Sequence, residues 1–391
     1  MPRVSIVMPC YNQAQYLAAS IDSILGQTVA DWELIVVDDG STDGSMAALT
    51  RFTDPRIQVI GQANQERAQA RNRALREARG EFVAFLDADD LWTPEYLEKQ
   101  LANFDAQPEL GLSRTFAYSI DASGHILGLV GHDTPATCSP REFLAALLVA
   151  NRIVNPATVM VRAACLDTVG VFDPATIPAE DWDLWIRIGL RYPMGTVPEP
   201  LAYYRHHDSY MPRRLRPRGG DEPLIRIVEK SFAQIDDPEL LQLRDKALGH
   251  AYWRTAWNCF ALNEIDRAQS LLTTAHALDP DFFAPPHEAM VSSIAYLAEQ
   301  LYDVATPLHE ALACIDNFFD HLPAWANPLL TLRRRARGQY CGVHVFREYE
   351  RLNWREVRTA APLAVRSQPR WLFNKGFRSI MARAYLPIWT L

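Results

Sequence analysis

"EFVAFLDADDLW", residues 81–92, is an apolar run, Phe82 to Leu86, that ends abruptly in three carboxylates, Asp87, Asp89 and Asp90. Two carboxylates about 4 Å apart repel by roughly 4 kcal/mol at an effective dielectric near 20, so a buried strand ending this way calls for a compensating partner. The run is apolar without alternation, as expected of a strand covered on both faces. Upstream, "VSIVMP" (4–9), "ELIVVDD" (33–39) and "IQVIG" (57–61) repeat the theme. Helical patterns over 14–26, 43–52, 67–79 and 94–106 separate and follow these runs, with Thr42 and Thr93 as expected N-caps and Pro94 at a first helical position. Strands alternating with helices predict a parallel α/β sheet. Such sheets bind ligands beyond the C-terminal strand ends, where "PCYN" (9–12), "DDGSTDGS" (38–45) and "DADD" (87–90) should meet.

Farther along, "TFAYSI" and "HILGLV" flank "DASG" as a hairpin, "PATVMVR" (156–162) reads as a strand and "EDWDLWIRIGLR" (180–191) as a helix. "GTVPEPLAYYRHH" (195–207) returns as an extended segment, and the Arg-, Pro- and Gly-rich 208–223 reads as a mobile loop, either a lid or a linker. Beyond it the pattern is helical. Ala256, Ala268, Leu272, Ala275 and Pro280 share their spacing with Val345, Val357, Ala361, Ala364 and Pro369, the small-residue rhythm of a tetratricopeptide-like hairpin. The expected organisation is a catalytic α/β domain over 1–210, a linker over 208–223 and an all-α region over 224–391.

The chain carries a net charge of −8, which argues against a nucleic-acid binder. The charge is uneven: residues 330–391 hold 13 Arg and Lys against 3 Glu, so the remainder carries −18. A basic tail behind an acidic body either meets an anionic surface, leaving room for peripheral membrane contact, or docks on its own protein. The six cysteines are scattered without a CxxC pair, and neither a signal-peptide pattern nor an apolar run near the length of a membrane span is evident. The expected location is the cytoplasm, with the inner membrane face as an option for the basic tail.

Clustered carboxylates become favourable around a hard divalent cation, and Mg²⁺ or Mn²⁺ tends to bind through one or two carboxylates plus substrate phosphates. Asp87 and Asp89 at a strand end suit a metal or a ribose, while Asp90 reads as a cap or turn residue. Asp39 follows the second strand within reach of a base or ribose, Asp43 reads as an Asx turn, and Arg71 in "ARN" offers a planar donor fork to a phosphate. Taken singly, each of these has a structural alternative: helix cap, turn or surface ion pair. Trp185, at helical spacing, reads as core.

In combination, "SIVMPCYN", "ELIVVDDGSTDGS", "ARNRAL", "GEFVAFLDADDLWTPEYLEKQ", "AEDWDLW" and "YYRHH" resemble glycosyltransferase family 2, in the family's order and over roughly residues 1–210. The resemblance implies a GT-A fold with a mixed, mainly parallel sheet, and inverting transfer of a sugar from a nucleotide donor, usually a UDP-sugar, to a glycan, lipid-linked or protein acceptor. It implies that Pro9, Tyr11 and Asp39 line the base pocket, Arg71 lies near the base or diphosphate, Asp87 reaches ribose and metal, and Asp89 binds Mn²⁺ or Mg²⁺. His207, through the family's YRxH pattern, is a further metal or diphosphate contact. Asp181 is the implied base, ahead of Glu180 and Asp183, with Glu180 and Trp182 as acceptor contacts. One departure is Glu66, where the family often has glycine.

Two other functions fit parts of the pattern. A nucleotidyltransferase would use a similar sheet and acidic site but needs a glycine-rich phosphate loop after the first strand, which "PCYNQAQYL" lacks. A non-catalytic scaffold acting through the helical repeats would not require the Asp87, Asp89 and Asp181 set.

Overall fold

The computed structural model describes residues 1–131, 138–153, 155–207, 222–301 and 308–385. These fall into two compact units. The first comprises Met1–Ile120, Gly128–Arg205 and Arg226–Arg244, and the second contains Asp121–Leu127, the described residues of His206–Ile225 and the chain from Asp245 onward.

The continuous apolar runs form the heart of the first unit. Strands β1 (Val4–Cys10), β2 (Trp32–Asp38) and β4 (Phe82–Phe85) are buried almost throughout, as both-face coverage requires. β1 lies between β2 and β4, parallel to both, and β3 (Ile57–Gly61) continues the parallel set beyond β2. β3 alternates little and is largely exposed, as an edge strand can be. The sheet then turns mixed. β8 (Val159–Arg162) runs antiparallel to β4 and to β6 (Leu112–Ile120), which pairs in parallel with β9 (Met194–Arg205). A two-residue β5 (Leu91–Trp92) closes the order β3-β2-β1-β4-β8-β6-β9-β5, and β7 (Ile126–Val130) pairs with β6 as the expected hairpin.

The helices occupy the expected stretches in shortened form: α1 (Leu17–Leu25), α2 (Ser45–Leu49), α3 (Arg67–Leu75), α4 (Tyr96–Ala106) and, after α5 (Pro140–Val149) and α6 (Ala163–Val169), α7 (Glu180–Gly189). Two expected caps are corrected. Gly44 precedes α2 and Glu95 precedes α4, neither with a side-chain cap. Thr93 Oγ1 is instead buried without a partner among the described residues. Register explains why the polar strand ends share an edge. Cys10 pairs with Asp38 and Asp38 with Gly61, while Val7 pairs with Phe85. The 87–90 turn therefore leaves the sheet at the same edge as residues 10 and 38.

The second unit is helical. The hairpins Arg244–Ala261/Ile265–Leu278 and Arg333–Glu350/Trp354–Ser367 repeat one another at an offset of 89 residues. The correspondence extends beyond the Ala, Leu and Val positions of the shared spacing, all of which are buried. Asn263 and Leu352 both turn the chain at positive φ, 61° and 58°. Glu264 N donates to the Cys259 carbonyl as Asn353 N does to that of Glu348. Pro280 and Pro369 each open a short 3₁₀ turn after the second helix. Between the hairpins, Phe318 packs edge-on against Trp253 and Phe260 with centroids 5.6 and 5.2 Å apart. The 208–221 part of the expected loop lies outside the described residues.

Asn tolerates the left-handed region and leucine does not. Leu352→Gly is therefore expected to stabilise the second unit by about 1 kcal/mol, whereas Asn263→Gly changes little. Thermal unfolding of the two variants checks this; equal shifts would argue against backbone relief at Leu352.

Candidate active site

The first two strand ends are stitched together by short polar side chains. Asn12 N donates to Ser41 Oγ, Thr42 N donates back to Asn12 Oδ1 at 2.7 Å, and Gln13 N donates to Ser45 Oγ. Asp43 forms the expected Asx turn, accepting from Ser45 N, and also accepts from Ala14 N. Gly40, at φ +77°, lies so close to the next loop that a Cβ there would sit 2.9 Å from Asn64 N. Asp39 is buried, and its Oδ1 accepts from Gln62 Nε2 (2.8 Å) and Gln65 N (2.9 Å). Its Oδ2 takes no hydrogen bond among the described residues. Pro9 and Tyr11, half-buried, flank this edge.

The three carboxylates of the 87–90 turn have different surroundings. Asp87 is the most open, its side chain 29% exposed, and both its oxygens accept from Arg71 Nη2 at 2.8 and 3.0 Å. Asp89 faces the first strand end, accepting from Gln13 Nε2 at 3.3 Å. Asp90 is buried, and accepts from Asn155 Nδ2 (2.7 Å) and Arg205 N (2.8 Å). Burial, then the charges of Asp89 and Asp87, push its carboxyl well above the usual range. Asp90 is thus a cross-brace in the interior as well as a turn residue. Arg205 completes the brace, its Nε donating to the Asp89 carbonyl at 2.8 Å and its guanidinium lying over Tyr16.

α7 brings a second acidic trio, and the structure separates its members. Glu180 is 1% exposed and accepts from Arg67 Nε (2.5 Å) and Arg71 Nη1 (2.9 Å). Burial would raise its carboxyl, but the two guanidiniums outweigh that and hold it near 2. Asp183 is buried against Arg187 and Lys230. Asp181 alone has no ion pair among the described residues; its Oδ1 accepts from Trp182 N at 2.7 Å. Burial lifts its carboxyl to about 6, with the Glu180 charge adding and Arg67 and Arg71 opposing.

Several sequence expectations change as a result. Glu180 and Trp182 face protein partners: the first is saturated by arginines, and the second is 3% exposed with its indole N–H on the Leu147 carbonyl at 2.8 Å. Neither presents a surface to an acceptor. Arg71, 2% exposed, spends its guanidinium on bridging Asp87 and Glu180. Trp185 is core, against Phe85 and Phe172. His207 is buried two residues beyond β9. Arg67 and Arg205 carry structure that sequence reasoning missed. Arg67 had a signal, since it lies one helical turn before Arg71 on the same face of α3; Arg205, inside "YYRHH", had none.

Glu66 adopts φ 74°, ψ 159° at the start of α3, a conformation that is essentially glycine's. Glycine, which the resemblance implies at this position, would take this backbone without strain.

Among the described residues no group of three or more His, Cys, Asp or Glu is arranged to hold a metal ion. A cation that keeps phosphate and water ligands needs only one or two carboxylates. The oxygen donors of Asp89 and Asp87 fit such an ion in kind and number.

The family model described as "Glycosyl transferase family 2" matches residues 5–126. The chain is 33% identical over 220 residues to an uncharacterized glycosyltransferase, MJ1057, of Methanocaldococcus jannaschii, covering 54% of this chain and 74% of the relative. It is 46% identical over 100 residues to the Escherichia coli protein named UDP-Glc:alpha-D-GlcNAc-diphosphoundecaprenol beta-1,3-glucosyltransferase WfgD, covering 25% and 40%. Other curated glycosyltransferases are matched over between 26% and 66% of their length. In fold, the chain is similar to S. aureus TarS 1–349, crystallised in complex with UDP-GlcNAc: TM-score 0.53, 18% identity, covering 90% of this chain and 92% of that one.

Removing Glu180's charge leaves Arg67 and Arg71 facing each other. Glu180→Gln is expected to cost about 3 kcal/mol in denaturant unfolding, the scale for breaking a buried ion pair. A loss below about 1 kcal/mol, the scale of surface pairs, would mean that the network is not tightly buried in solution.

Proposed function

The chain belongs to glycosyltransferase family 2, its first unit a GT-A domain, and we propose that this unit transfers a hexosyl group, with inversion, from a UDP-sugar to a hydroxyl acceptor in glycan or polysaccharide biosynthesis. The observation that carries the reading is the separation within α7: Asp181 is the one acid of the trio without an ion pair among the described residues, and its carboxyl is lifted to about 6. That is a value suited to a general base near neutral pH. Membership in the family and a relative named for UDP-Glc support the donor class.

In this reading Asp39 offers its unengaged Oδ2 to the base, with Pro9 and Tyr11 beside it. Asp87 turns its outer lone pairs to the ribose while Arg71 holds it from behind. Asp89, with Asp87, would hold Mg²⁺ or Mn²⁺. Such an ion, when bound, stabilises negative charge on the diphosphate as a Lewis acid. Asp181 accepts the proton of the acceptor hydroxyl as that oxygen bonds to the anomeric carbon. The bond from that carbon to the diphosphate breaks on the opposite face, and the electron pair leaves with the nucleotide. Glu180 and Arg71 act as positioning residues: through Arg71, the base on α7 and the ribose-side Asp87 are held in one frame.

Screening nucleotide sugars with Mg²⁺ or Mn²⁺ for transfer or donor hydrolysis tests the reading. Asp181→Asn is expected to lower kcat by about 10²–10⁴-fold with donor affinity intact, and Asp89→Asn to weaken metal-dependent donor binding. Equal loss of donor binding in both variants would sink this division of roles. The base works ionised, so kcat should rise as pH increases through about 6 and be lost below it. In Glu180→Gln the like charge beside Asp181 is gone, and the acid limb should move to lower pH.

A further inference from the structure

The arginines of the C-terminal region divide into two sets. Arg333, Arg335 and Arg337 are spent inside the second unit, on Asp320, Glu288 and Asp316. Arg347 and Arg351 pair with the buried Glu348. Downstream, Arg358, Arg370 and Arg383 are likewise held, by the Ala384 carbonyl, Gln339 and Tyr349, but the remaining cations are not. Residues 354–385 contain seven Arg and Lys and one Glu. Arg355, Arg366, Lys375 and Arg378 are exposed, and their side chains take no hydrogen bond or ion pair among the described residues.

The same stretch exposes apolar side chains. Leu372 is 45%, Tyr385 49% and Phe373 85% exposed. The helices Trp354–Ser367 and Lys375–Tyr385, joined by the 3₁₀ turn Pro369–Phe373, form an open apolar recess of about 400 Å³ lined by Pro362, Val365, Leu372, Met381 and Tyr385, with Arg366 at its wall. Lys375, Arg378, Met381 and Tyr385 follow one another at three- and four-residue steps, so cations and apolar groups share one stripe of the last helix.

We propose that this face docks on an anionic lipid surface, with Phe373 and Leu372 entering the acyl boundary and Arg366, Lys375 and Arg378 meeting the headgroups. Charge complementarity selects this occupant. A second copy would bring Arg366, Lys375 and Arg378 against their own equals, because a two-fold interface apposes identical patches. A bilayer interface supplies negative charge above an apolar layer, matching cations that rim exposed Phe, Leu and Tyr. No described helix is long and apolar enough to cross a membrane. The proposal goes beyond the sugar-transfer reading and does not rest on it.

The test is cosedimentation of the full chain with vesicles of phosphatidylcholine alone or mixed with phosphatidylglycerol. Binding is expected to the anionic vesicles only and to fade as salt is raised. Each basic residue near an anionic surface contributes about fivefold in partitioning, so Arg366→Gln/Lys375→Gln/Arg378→Gln together should weaken it about a hundredfold. Phe373→Ser should weaken it about tenfold, and circular dichroism should show the same helix content in both variants. Binding to neutral vesicles alike, no binding at all, or variants that bind as the wild type does would each overturn the proposal. Self-association abolished by Phe373→Ser, without vesicle binding, would assign the face to an interface between copies instead. Transfer to a soluble acceptor without vesicles should be equal in all these proteins, which separates failure here from failure of the catalytic reading.

Discussion

The buried guanidinium of Arg71 is the constraint around which the first unit is arranged. It donates to Asp87 at the end of β4 and to Glu180 at the start of α7, so one cation on α3 joins two acidic segments 93 positions apart in the chain. Taking such charges out of water is costly unless each is met by an opposite charge in good geometry. Arg67 supplies the second cation for Glu180. With both partners in place Glu180 remains ionised in the interior, and its charge helps lift the neighbouring Asp181. Burial does most to raise the proton affinity of the residue proposed to do chemistry, and the network adjusts it, Glu180 adding to the rise and the two arginines opposing it.

The same logic disposes of the repulsion expected in the 87–90 turn. Asp87 is neutralised from behind by Arg71. Asp90 is buried where amide donors from Asn155 and Arg205 satisfy it and where its proton is held more tightly. Asp89 is the acid left facing the first strand end. Three adjacent carboxylates therefore do not share one environment, and the proposed metal and ribose roles fall to Asp89 and Asp87, not to Asp90.

The helical unit shows a comparable sorting of charge. Among its cations, Arg333 and Arg337 are consumed in ion pairs with Asp320 and Asp316, whereas Arg366, Lys375 and Arg378 are exposed in the stretch that also exposes Phe373 and Leu372. The 89-residue offset between the two hairpins reaches details as fine as the positive-φ turn residue, which is the form a repeated packing solution takes when the same close approach of two helices must be closed by a three-residue loop.

Much of this was legible in the residues themselves. Buried strands announce themselves as unbroken apolar runs, helices as 3.6-residue periodicity, and a parallel arrangement brings strand ends to one edge. The α/β fold and the candidates Asp39, Asp87 and Asp89 follow from patterns within a few residues of each other, whereas Asp181 was singled out only by the resemblance to glycosyltransferase family 2. What local pattern cannot carry is partnership at a distance. Glu180, Asp181 and Asp183 are equivalent in sequence. They become a clamped anion, an unpaired base candidate and a second clamped anion only because Arg67 and Arg71, 113 and 109 residues away from Glu180, and Lys230 on a later helix, arrive at two of them and not at the third. The sequence determined which groups would stand at the edge of the sheet. The tertiary structure decided which of them would be left without a counter-charge, because that depends on distances between side chains that periodicity does not encode.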